Sequence, residues 1–216
     1  MSTALSVDQQ HYRAVAFAHG AAAALTLLHA ETSAGVLPAG PGGHVFVPEH
    51  IESACDRYET PDGPRARDGA REEPLGGVSA GLVALRIRGA GPTHGGAWPS
   101  GVAWVRLGLA ERLLGQATEH LRHRTVQQTA TLNLPLVRAM LADAAGGIAE
   151  AAALFAAAPG SPALHRIHRS LDEVGRLCLH LFGAVGFLAT GPGGDVRASE
   201  LLADAYTPER PEREGS

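Results

Sequence analysis

The sequence feature that most constrains the fold is a long block rich in alanine and leucine, Val105 to Phe187. Its apolar residues recur every three or four positions, and proline or glycine interrupts the pattern, which is typical of consecutive amphipathic helices. We predict three helices in this region, roughly at 101–124, 133–158 and 161–182. Because the connections between them are short, we expect an antiparallel helical bundle, and the predicted fold class is mainly α.

The residues before this block are predicted to form a small, irregular N-terminal part, 1–100. Ser6 and Gln9 make a capping box at the start of one helix, which we place at 6–31. Gly35 and the proline- and glycine-rich run after it are expected to end that helix.

Two short extended segments are predicted further along the N-terminal part, at 44–48 and 81–88. A short helix is expected between them, at about 49–58. Residues 59–78 contain proline, glycine and charged residues and almost nothing apolar. Such a composition buries too little apolar surface to offset the entropy of ordering, so we predict a mobile loop there.

The C-terminal end is predicted as one more short helix, roughly 195–205, and a disordered tail. Residues 207–216 are mostly proline, glutamate and arginine, a composition typical of a solvated terminus. The predicted organisation is therefore an N-terminal part at 1–100, a helical bundle at 101–206 and a tail at 207–216.

Composition argues against several classes of function. The formal net charge is −4, too small to indicate a nucleic acid or a membrane surface as partner. The chain contains no lysine, which excludes Schiff-base chemistry within it. Two cysteines do not make a disulfide framework, so the expected location is the reducing cytoplasm. The apolar run from Ala21 to Leu28 is too short to span a bilayer.

Histidines occur in two pairs spaced three residues apart, His120/His123 and His165/His168. Arginines surround both pairs, and no glutamate stands at the spacing that helical zinc or di-iron sites use, so we predict a solvated face and no metal site. His180 lies on an apolar stretch of helix and is expected to be buried and hydrogen-bonded.

Two motifs stand in order along the block. Arg124 ends the first predicted helix, and Leu141-Ala142-Asp143 lies in the second, with Asp143 19 positions after the arginine. The third helix ends in a turn that contains Gly183 and Gly186. This arrangement resembles the C-terminal helical domain of the acyl-CoA dehydrogenase family of flavoproteins, in which an Arg and a Leu-Ala-Asp/Glu have the same separation and a later helix ends in a Q-x-x-G-G-x-G-like turn. The resemblance covers about half the chain.

The resemblance implies a binding site for FAD at the contact between two subunits. Arg124 would reach the pyrophosphate of a dinucleotide held by a neighbouring subunit, since a guanidinium is always charged and can donate two parallel hydrogen bonds. Gly183, Gly186 and His180, which stands where the family has Gln, would complete that contact. An alternative for the arginine is a cation favoured by the C-terminal end of a helix, and an alternative for the glycines is simple helix termination.

The chain departs from the family at the residues that would stack on the flavin and at the base that would abstract a proton from the acyl thioester. The aromatic residue and the glycine that follow the family arginine are Gln127 and Gln128 here, and Ala184 replaces the second glycine of the turn. The catalytic base of the family is a glutamate, which in some members lies in a Y-E-G-T segment. In this chain the segment most similar to that motif is Glu214-Gly215-Ser216. Glu214 is a weak candidate because a carboxylate at a chain end lacks the supporting contacts that hold a catalytic group in place.

We derive three functional hypotheses. The first is a truncated acyl-CoA dehydrogenase-like protein that lacks most of the N-terminal and middle β-domains. It would be an accessory subunit, packing with itself or with a full-length FAD-dependent acyl-CoA dehydrogenase, and any activity would be oxidoreduction at the CH–CH bond of acyl thioesters. The second is a flavin-independent enzyme of secondary metabolism, in which the bundle encloses an apolar pocket and Tyr12, His180 or His11 acts as acid or base. The third is an inactive remnant.

Overall fold

The computed structural model describes residues 5–76, 81–93, 96–126, 128–157, 161–188 and 191–207. The α-helices are α1 (Leu5–His19), α2 (Ala21–Thr32), α3 (Glu49–Ala54), α4 (Trp98–His123), α5 (Pro135–Ala156), α6 (Ser161–Phe182) and α7 (Pro192–Tyr206). The strands are β1 (Val36–Leu37), β2 (His44–Pro48), β3 (Arg57–Tyr58), β4 (Arg65–Ala66), β5 (Glu72–Leu75), β6 (Leu82–Ile87), β7 (Thr125–Val126) and β8 (Thr129–Ala130). The mainly α fold class is confirmed, and so are the three long helices, whose ends differ from the predicted ones by no more than three residues.

Helix α4 lies at the centre of the bundle and packs against α1, α2, α5, α6 and α7. Every residue from 101 to 110 is buried, so this half of the helix is enclosed on all sides. Glycines make the close approach possible. A Cβ at Gly101 would lie 2.2 Å from Leu28 Cδ1, and a Cβ at Gly108 would lie 2.2 Å from the carbonyl oxygen of Arg13.

The single helix predicted at 6–31 is wrong, because the chain turns at Gly20. This residue has φ +83°, a conformation that glycine adopts without the steric cost paid by other residues. The break separates α1 from α2 and allows α2 to bury Leu25 and Leu28 beside α4.

The two predicted strands, β2 and β6, pair antiparallel, and β5 adds a third strand on the far side of β6. The order is β2-β6-β5. Two-residue ladders also join β3 to β1 and β4. The predicted helix at about 49–58 is shorter in the structure, since α3 ends at Ala54.

The sheet is fastened to the bundle by Tyr206, the last residue of α7. Its buried hydroxyl accepts a hydrogen bond from the backbone N–H of Phe46 at 2.8 Å and lies within donating distance of the carbonyl oxygens of Phe46 and Pro38. Gly40 packs so tightly here that a Cβ would fall 1.7 Å from the carbonyl oxygen of Ala205. Burial raises the pKa of the Tyr206 hydroxyl, so it stays protonated.

The segment predicted as a mobile loop, 59–78, contains regular structure in its described part. Strands β4 and β5 lie in it, and Arg67 ties it to α3 through ionic contacts. The Arg67 guanidinium lies 2.5 Å from Glu52 Oε1 and 2.7 Å from Glu72 Oε1, and it also donates to the carbonyl oxygen of Cys55 at 2.9 Å. The prediction counted apolar residues, whereas charged hydrogen bonds order this segment. The tail at 208–216 lies outside the described residues.

A buried polar cluster joins α4, α6 and α7. Arg106 is fully buried (0% exposed), and its guanidinium lies 2.5 Å from Asp172 Oδ1, 2.7 Å from His168 Nδ1 and 3.0 Å from Ser199 Oγ. Because the arginine donates to Nδ1, that nitrogen must be unprotonated. Burial, and then the neighbouring Arg106 charge, lower the pKa of His168 to about 3. This imidazole is therefore neutral at neutral pH.

Helix α5 differs from the other long helices because most of its surface is exposed although its composition is apolar. It is long and apolar enough to cross a membrane by length and composition, and 22% of its most apolar window is buried within the protein. The buried line, Ala144, Ile148, Ala151 and Phe155, faces the bundle.

We predict that Gly108→Ala destabilises the fold by about 1–3 kcal/mol, because the new methyl group meets the backbone of α1 in a tightly packed contact. The matched control is Gly115→Ala on the same helix, where a Cβ meets nothing within 4 Å. There the same change is expected to stabilise the protein by about 0.5–1 kcal/mol, since alanine favours helix over glycine. Urea denaturation measures both. Equal effects at the two positions would contradict the close α1–α4 contact.

We predict that the free energy of unfolding falls as the pH drops below 6.5. The unfolded His168 binds a proton near its ordinary pKa of 6.5, whereas the folded residue does so only near 3. Its contribution is therefore complete above pH 6.5 and is lost towards pH 3, with a slope of up to about 1.4 kcal/mol per pH unit.

The variant His168→Leu should show a flatter pH dependence than the unaltered protein. His29 contributes to the slope of both proteins, because burial lowers its pKa too, so the difference between the two curves isolates His168. Chemical denaturation at a series of pH values gives the slopes, and His180→Gln, at an exposed position, serves as the control. Parallel curves for His168→Leu and the unaltered chain would contradict the prediction.

Candidate functional site

The candidate site lies where α4 ends. Arg124 leaves the helix with extended backbone angles, φ −91° and ψ 130°, and its carbonyl oxygen accepts a hydrogen bond from Thr131 N at 2.7 Å. Between these residues the chain forms the β7–β8 hairpin. Gln128, in the turn of this hairpin, has φ +66° and is the non-glycine residue with positive φ among the described residues. The hairpin therefore holds Arg124 at a fixed place on the end of the bundle.

The turn after α6 lies beside Arg124. Gly183 ends that helix with φ +61° and opens a short 3₁₀ segment, Gly183–Phe187. A Cβ placed on Gly183 would lie 3.7 Å from Arg124 Nη1, so the guanidinium lies beside the turn, next to the space that a side chain would fill. Two motifs that are far apart in the sequence thus meet. We call this end of the bundle, formed by Arg124, the β7–β8 hairpin and the Gly183 turn, the Arg124 rim.

The other two residues of the predicted cofactor contact have different surroundings. Gly186 is buried, and a Cβ there would lie 2.9 Å from both the carbonyl oxygen of Leu179 and Phe182 Cβ. Close packing of the turn explains this glycine without a ligand. His180 is exposed rather than buried as predicted, and its Nδ1 lies 2.8 Å from the carbonyl oxygen of Arg176 in its own helix.

Sequence reasoning missed two polar residues near the rim. The His120 ring lies 5.5 Å from the Phe182 ring, and its Nε2 atom is buried without a hydrogen-bond partner among the described residues. Thr131 is buried, and its hydroxyl has no partner in the described part of the chain either. The i, i+3 spacing drew attention to His120 as a possible metal ligand, but nothing in the sequence indicated that it packs on the end of α6.

The surface around Arg124 is apolar and exposed. Its guanidinium forms no ion pair with another described residue, and it is exposed to solvent. Five large apolar side chains are exposed in the described residues, and all but Phe17 belong to segments next to this end of the bundle: Val126, Leu136, Val185 and Leu188. A cation framed by exposed apolar side chains is suited to bind an anionic group that a second molecule brings with an apolar surface.

The residues proposed for a flavin-independent enzyme do not converge. Tyr12 donates to Glu31 Oε2 at 2.5 Å between α1 and α2, whereas His180 lies at the end of α6 and His11 is exposed on α1. The other candidate, Glu214, lies outside the described residues.

Comparison with known proteins finds similar structures but no similar sequence. No family model and no curated protein matches the sequence. A variant of the Tcur3481-Tcur3483 steroid ACAD superposes with a TM-score of 0.55 and 19% identity, over 89% of this chain and 68% of that one. The ChsE4-ChsE5 complex from Mycobacterium tuberculosis gives 0.53 and 19%, over 81% and 59%. A glutaryl-CoA dehydrogenase from Mycobacterium smegmatis in complex with FADH2 gives 0.50 and 15%, over 77% and 56%.

These likenesses confirm the resemblance that the motifs predicted. The chain has the fold of acyl-CoA dehydrogenases over most of its length, including the helical bundle that carries the Arg124 rim. It spans 59% and 56% of the length of the second and third of these proteins. Their flavin and their subunit partners are therefore properties of those proteins, and the contact of Arg124, Gly183, Gly186 and His180 with FAD stays a prediction.

We predict that Arg124→Ala changes the free energy of unfolding by no more than about 0.5 kcal/mol, because an exposed residue without an ion pair contributes little to stability. Arg106→Ala is the comparison, and it should cost about 3–5 kcal/mol since it leaves the Asp172 carboxylate without its buried partner. Thermal and urea unfolding measure both variants. A large loss in Arg124→Ala would mean that this residue serves the fold rather than a ligand.

Proposed function

We propose that this protein is an accessory subunit of an FAD-dependent acyl-CoA dehydrogenase, and that its Arg124 rim completes the cofactor site of a partner subunit. The observation that carries the proposal is the placement of the exposed Arg124 guanidinium beside the left-handed Gly183 turn at one end of the bundle. The dehydrogenase fold supports the family of the cofactor, and the exposed apolar side chains around the arginine support a contact with another subunit.

The chemistry of each group follows from its type. The guanidinium of Arg124 would bind a phosphate oxygen of the dinucleotide with paired hydrogen bonds. The Gly183 turn lacks a side chain that would keep the backbone from approaching the phosphate. Val126, Val185 and Leu188 would exclude water from the seam between the subunits, and this strengthens a charged hydrogen bond.

FAD, held mainly by the partner, would supply the acceptor for the hydride removed from an acyl thioester. Among the described residues, the bundle offers no carboxylate at the Arg124 rim that could take the accompanying proton, so the base would also belong to the partner. The partner would be a full-length acyl-CoA dehydrogenase in the cytoplasm. These assignments rest on the fold and on the Arg124 rim, and they hold for any acyl group.

The test begins with the purified chain alone, incubated with FAD and separated from free cofactor. We expect no retained flavin absorbance and no oxidation of acyl thioesters. Coexpression with a full-length acyl-CoA dehydrogenase of the same organism should give a yellow complex that reduces an electron acceptor when an acyl-CoA is added. A chain that binds FAD and oxidises acyl thioesters by itself would contradict the proposed dependence on a partner.

The role of the rim is tested in that complex with Arg124→Ala. We expect FAD to bind at least about tenfold more weakly, equal to about 1.4 kcal/mol, while the two subunits still copurify. Arg122→Ala is the matched control, since Arg122 is an exposed arginine two residues earlier that pairs with Glu119. Equal flavin affinity in the two variants would remove Arg124 from the cofactor site, and a well-folded chain that joins no dehydrogenase would favour the inactive remnant.

A further inference from the structure

One face of the β2-β6-β5 sheet changes from apolar to basic along its length. Side chains two positions apart on a strand share a face, so the register of the three strands groups them into rows. One row is Phe46, Ala84 and Leu75, and the next is His44, Arg86 and Glu73. Just past β6, the backbone N–H of Arg88 donates to the carbonyl oxygen of Arg71 at 3.1 Å. The pairing of β5 and β6 therefore continues by one more row on the same face.

This last row places two exposed arginines, Arg71 and Arg88, opposite each other. Like charges directly opposite each other destabilise a sheet. With Arg86, they line a cavity of about 380 Å³ at the end of the sheet. None of the three arginines forms an ion pair within the described part of the chain. Arg86 Nε donates to the carbonyl oxygen of Gly42 at 3.2 Å, and its terminal amino groups can bind an anion.

The carboxylates of this cavity do not cancel its positive charge. Glu72 and Glu73 are the acidic residues of the lining, and Glu72 is already paired with Arg67 at 2.7 Å. Three arginines and the single charge of Glu73 leave a net charge of +2. A phosphomonoester carries about −1.5 to −2 at pH 7, and guanidinium groups bind phosphate oxygens with paired hydrogen bonds. The cavity therefore fits a phosphomonoester better than a single carboxylate.

The apolar row lines a second cavity, of about 180 Å³, between the sheet and α7. Leu201 and Ala205 of α7 line its other side, and Asp204, the acidic residue of this lining, is exposed. His44 also lines the cavity, and it lies opposite Arg86 in the next row towards the arginines. Because successive rows are about 7 Å apart, a short chain attached to a phosphate at the arginines reaches the apolar cavity.

We propose that the two cavities form one binding site for a phosphomonoester that carries a short apolar group. Arg71, Arg86 and Arg88 bind the phosphate, and the apolar group lies along Phe46 and Ala84 beside α7. Together the cavities have the size of small-molecule sites, about 300–1,000 Å³, and they combine an apolar surface with a few charged groups that fix the orientation of the ligand.

The site is separate from the Arg124 rim. Trp98, the first residue of α4, packs on Tyr206 with ring centroids 5.6 Å apart, and Tyr206 holds the backbone of β2. Arg124 follows the other end of this helix, whose 26 residues span about 39 Å. The inference therefore goes beyond the proposed function, and Arg124→Ala should leave phosphomonoester binding unchanged.

The first experiment measures the binding of monohexyl phosphate, inorganic phosphate and hexanol to the purified full chain by isothermal titration calorimetry. We expect monohexyl phosphate to bind at least about tenfold more tightly than inorganic phosphate, because burial of the hexyl group adds to the charged contact. Hexanol lacks the charge and should bind more weakly than both. Equal affinities for the two phosphates, or no binding of either, would overturn the proposal.

The second experiment compares variants of the two cavities. Arg71→Ala and Arg88→Ala should each weaken monohexyl phosphate binding at least about tenfold, since each removes a charged hydrogen bond. Arg65→Ala, at an exposed arginine of β4 that pairs with Asp62, should have no effect. An arginine variant that binds as tightly as this control would overturn the assignment of the phosphate.

The apolar cavity is tested separately with Leu201→Trp, whose larger side chain occupies the space of the hexyl group. It should lower the affinity for monohexyl phosphate to that for inorganic phosphate, while inorganic phosphate binds as before. Circular dichroism checks that all variants keep their helix content. An unchanged affinity for monohexyl phosphate in Leu201→Trp would overturn the apolar part of the site.

Two further ligands distinguish the possible sources of the phosphate group. AMP carries a phosphomonoester on a polar nucleoside and should bind more weakly than monohexyl phosphate, whereas tighter binding of AMP would overturn the apolar contact. Vesicles that contain phosphatidic acid present the same group on a membrane. Sedimentation of the chain with these vesicles, without competition by monohexyl phosphate, would overturn a small-molecule site in favour of a lipid surface.

Discussion

The bundle depends on how closely its helices approach α4. Gly101 and Gly108 allow Leu28 and the α1 backbone to occupy the space of a side chain, and α4 is enclosed by five other helices as a result. A protein whose aromatic content is 5% has few large side chains with which to fill gaps. It reaches a dense core by bringing backbones together instead, and such a core tolerates little added volume at the crossings.

Much of this fold could be predicted from the sequence, and the misses have physical causes. Periodicity places α4, α5 and α6 well because each is long and its pattern repeats many times. It misses the break at Gly20, since the apolar pattern continues across it and only the backbone angle changes. It also misses the ordered structure around Arg67, because charged hydrogen bonds to Glu52 and Glu72, rather than burial of apolar side chains, stabilise that segment.

For the candidate site, the sequence predicts which residues form the Arg124 rim better than it predicts whether the side chains around them are buried or exposed. The spacing of Arg124 and the glycine turn at Gly183 identifies two segments that the fold places side by side. Their exposed apolar frame cannot be read from local sequence, because exposure depends on which helices cover the end of the bundle. The same limit explains why the prediction of a buried His180 is wrong. The residue is exposed, on the polar side of a strongly amphipathic helix.

Helix α7 is held at its middle and at its C-terminal end by different parts of the molecule. Ser199 hydrogen-bonds to the buried Arg106 in the centre of the bundle, and Tyr206 holds the backbone of β2. The small sheet has no comparably buried polar link to the helices among the described residues. Displacing the final turn of α7 would remove this polar link and leave the sheet joined to α2 by apolar packing alone. Helix α7 therefore couples the buried polar cluster at Arg106 to the position of the sheet.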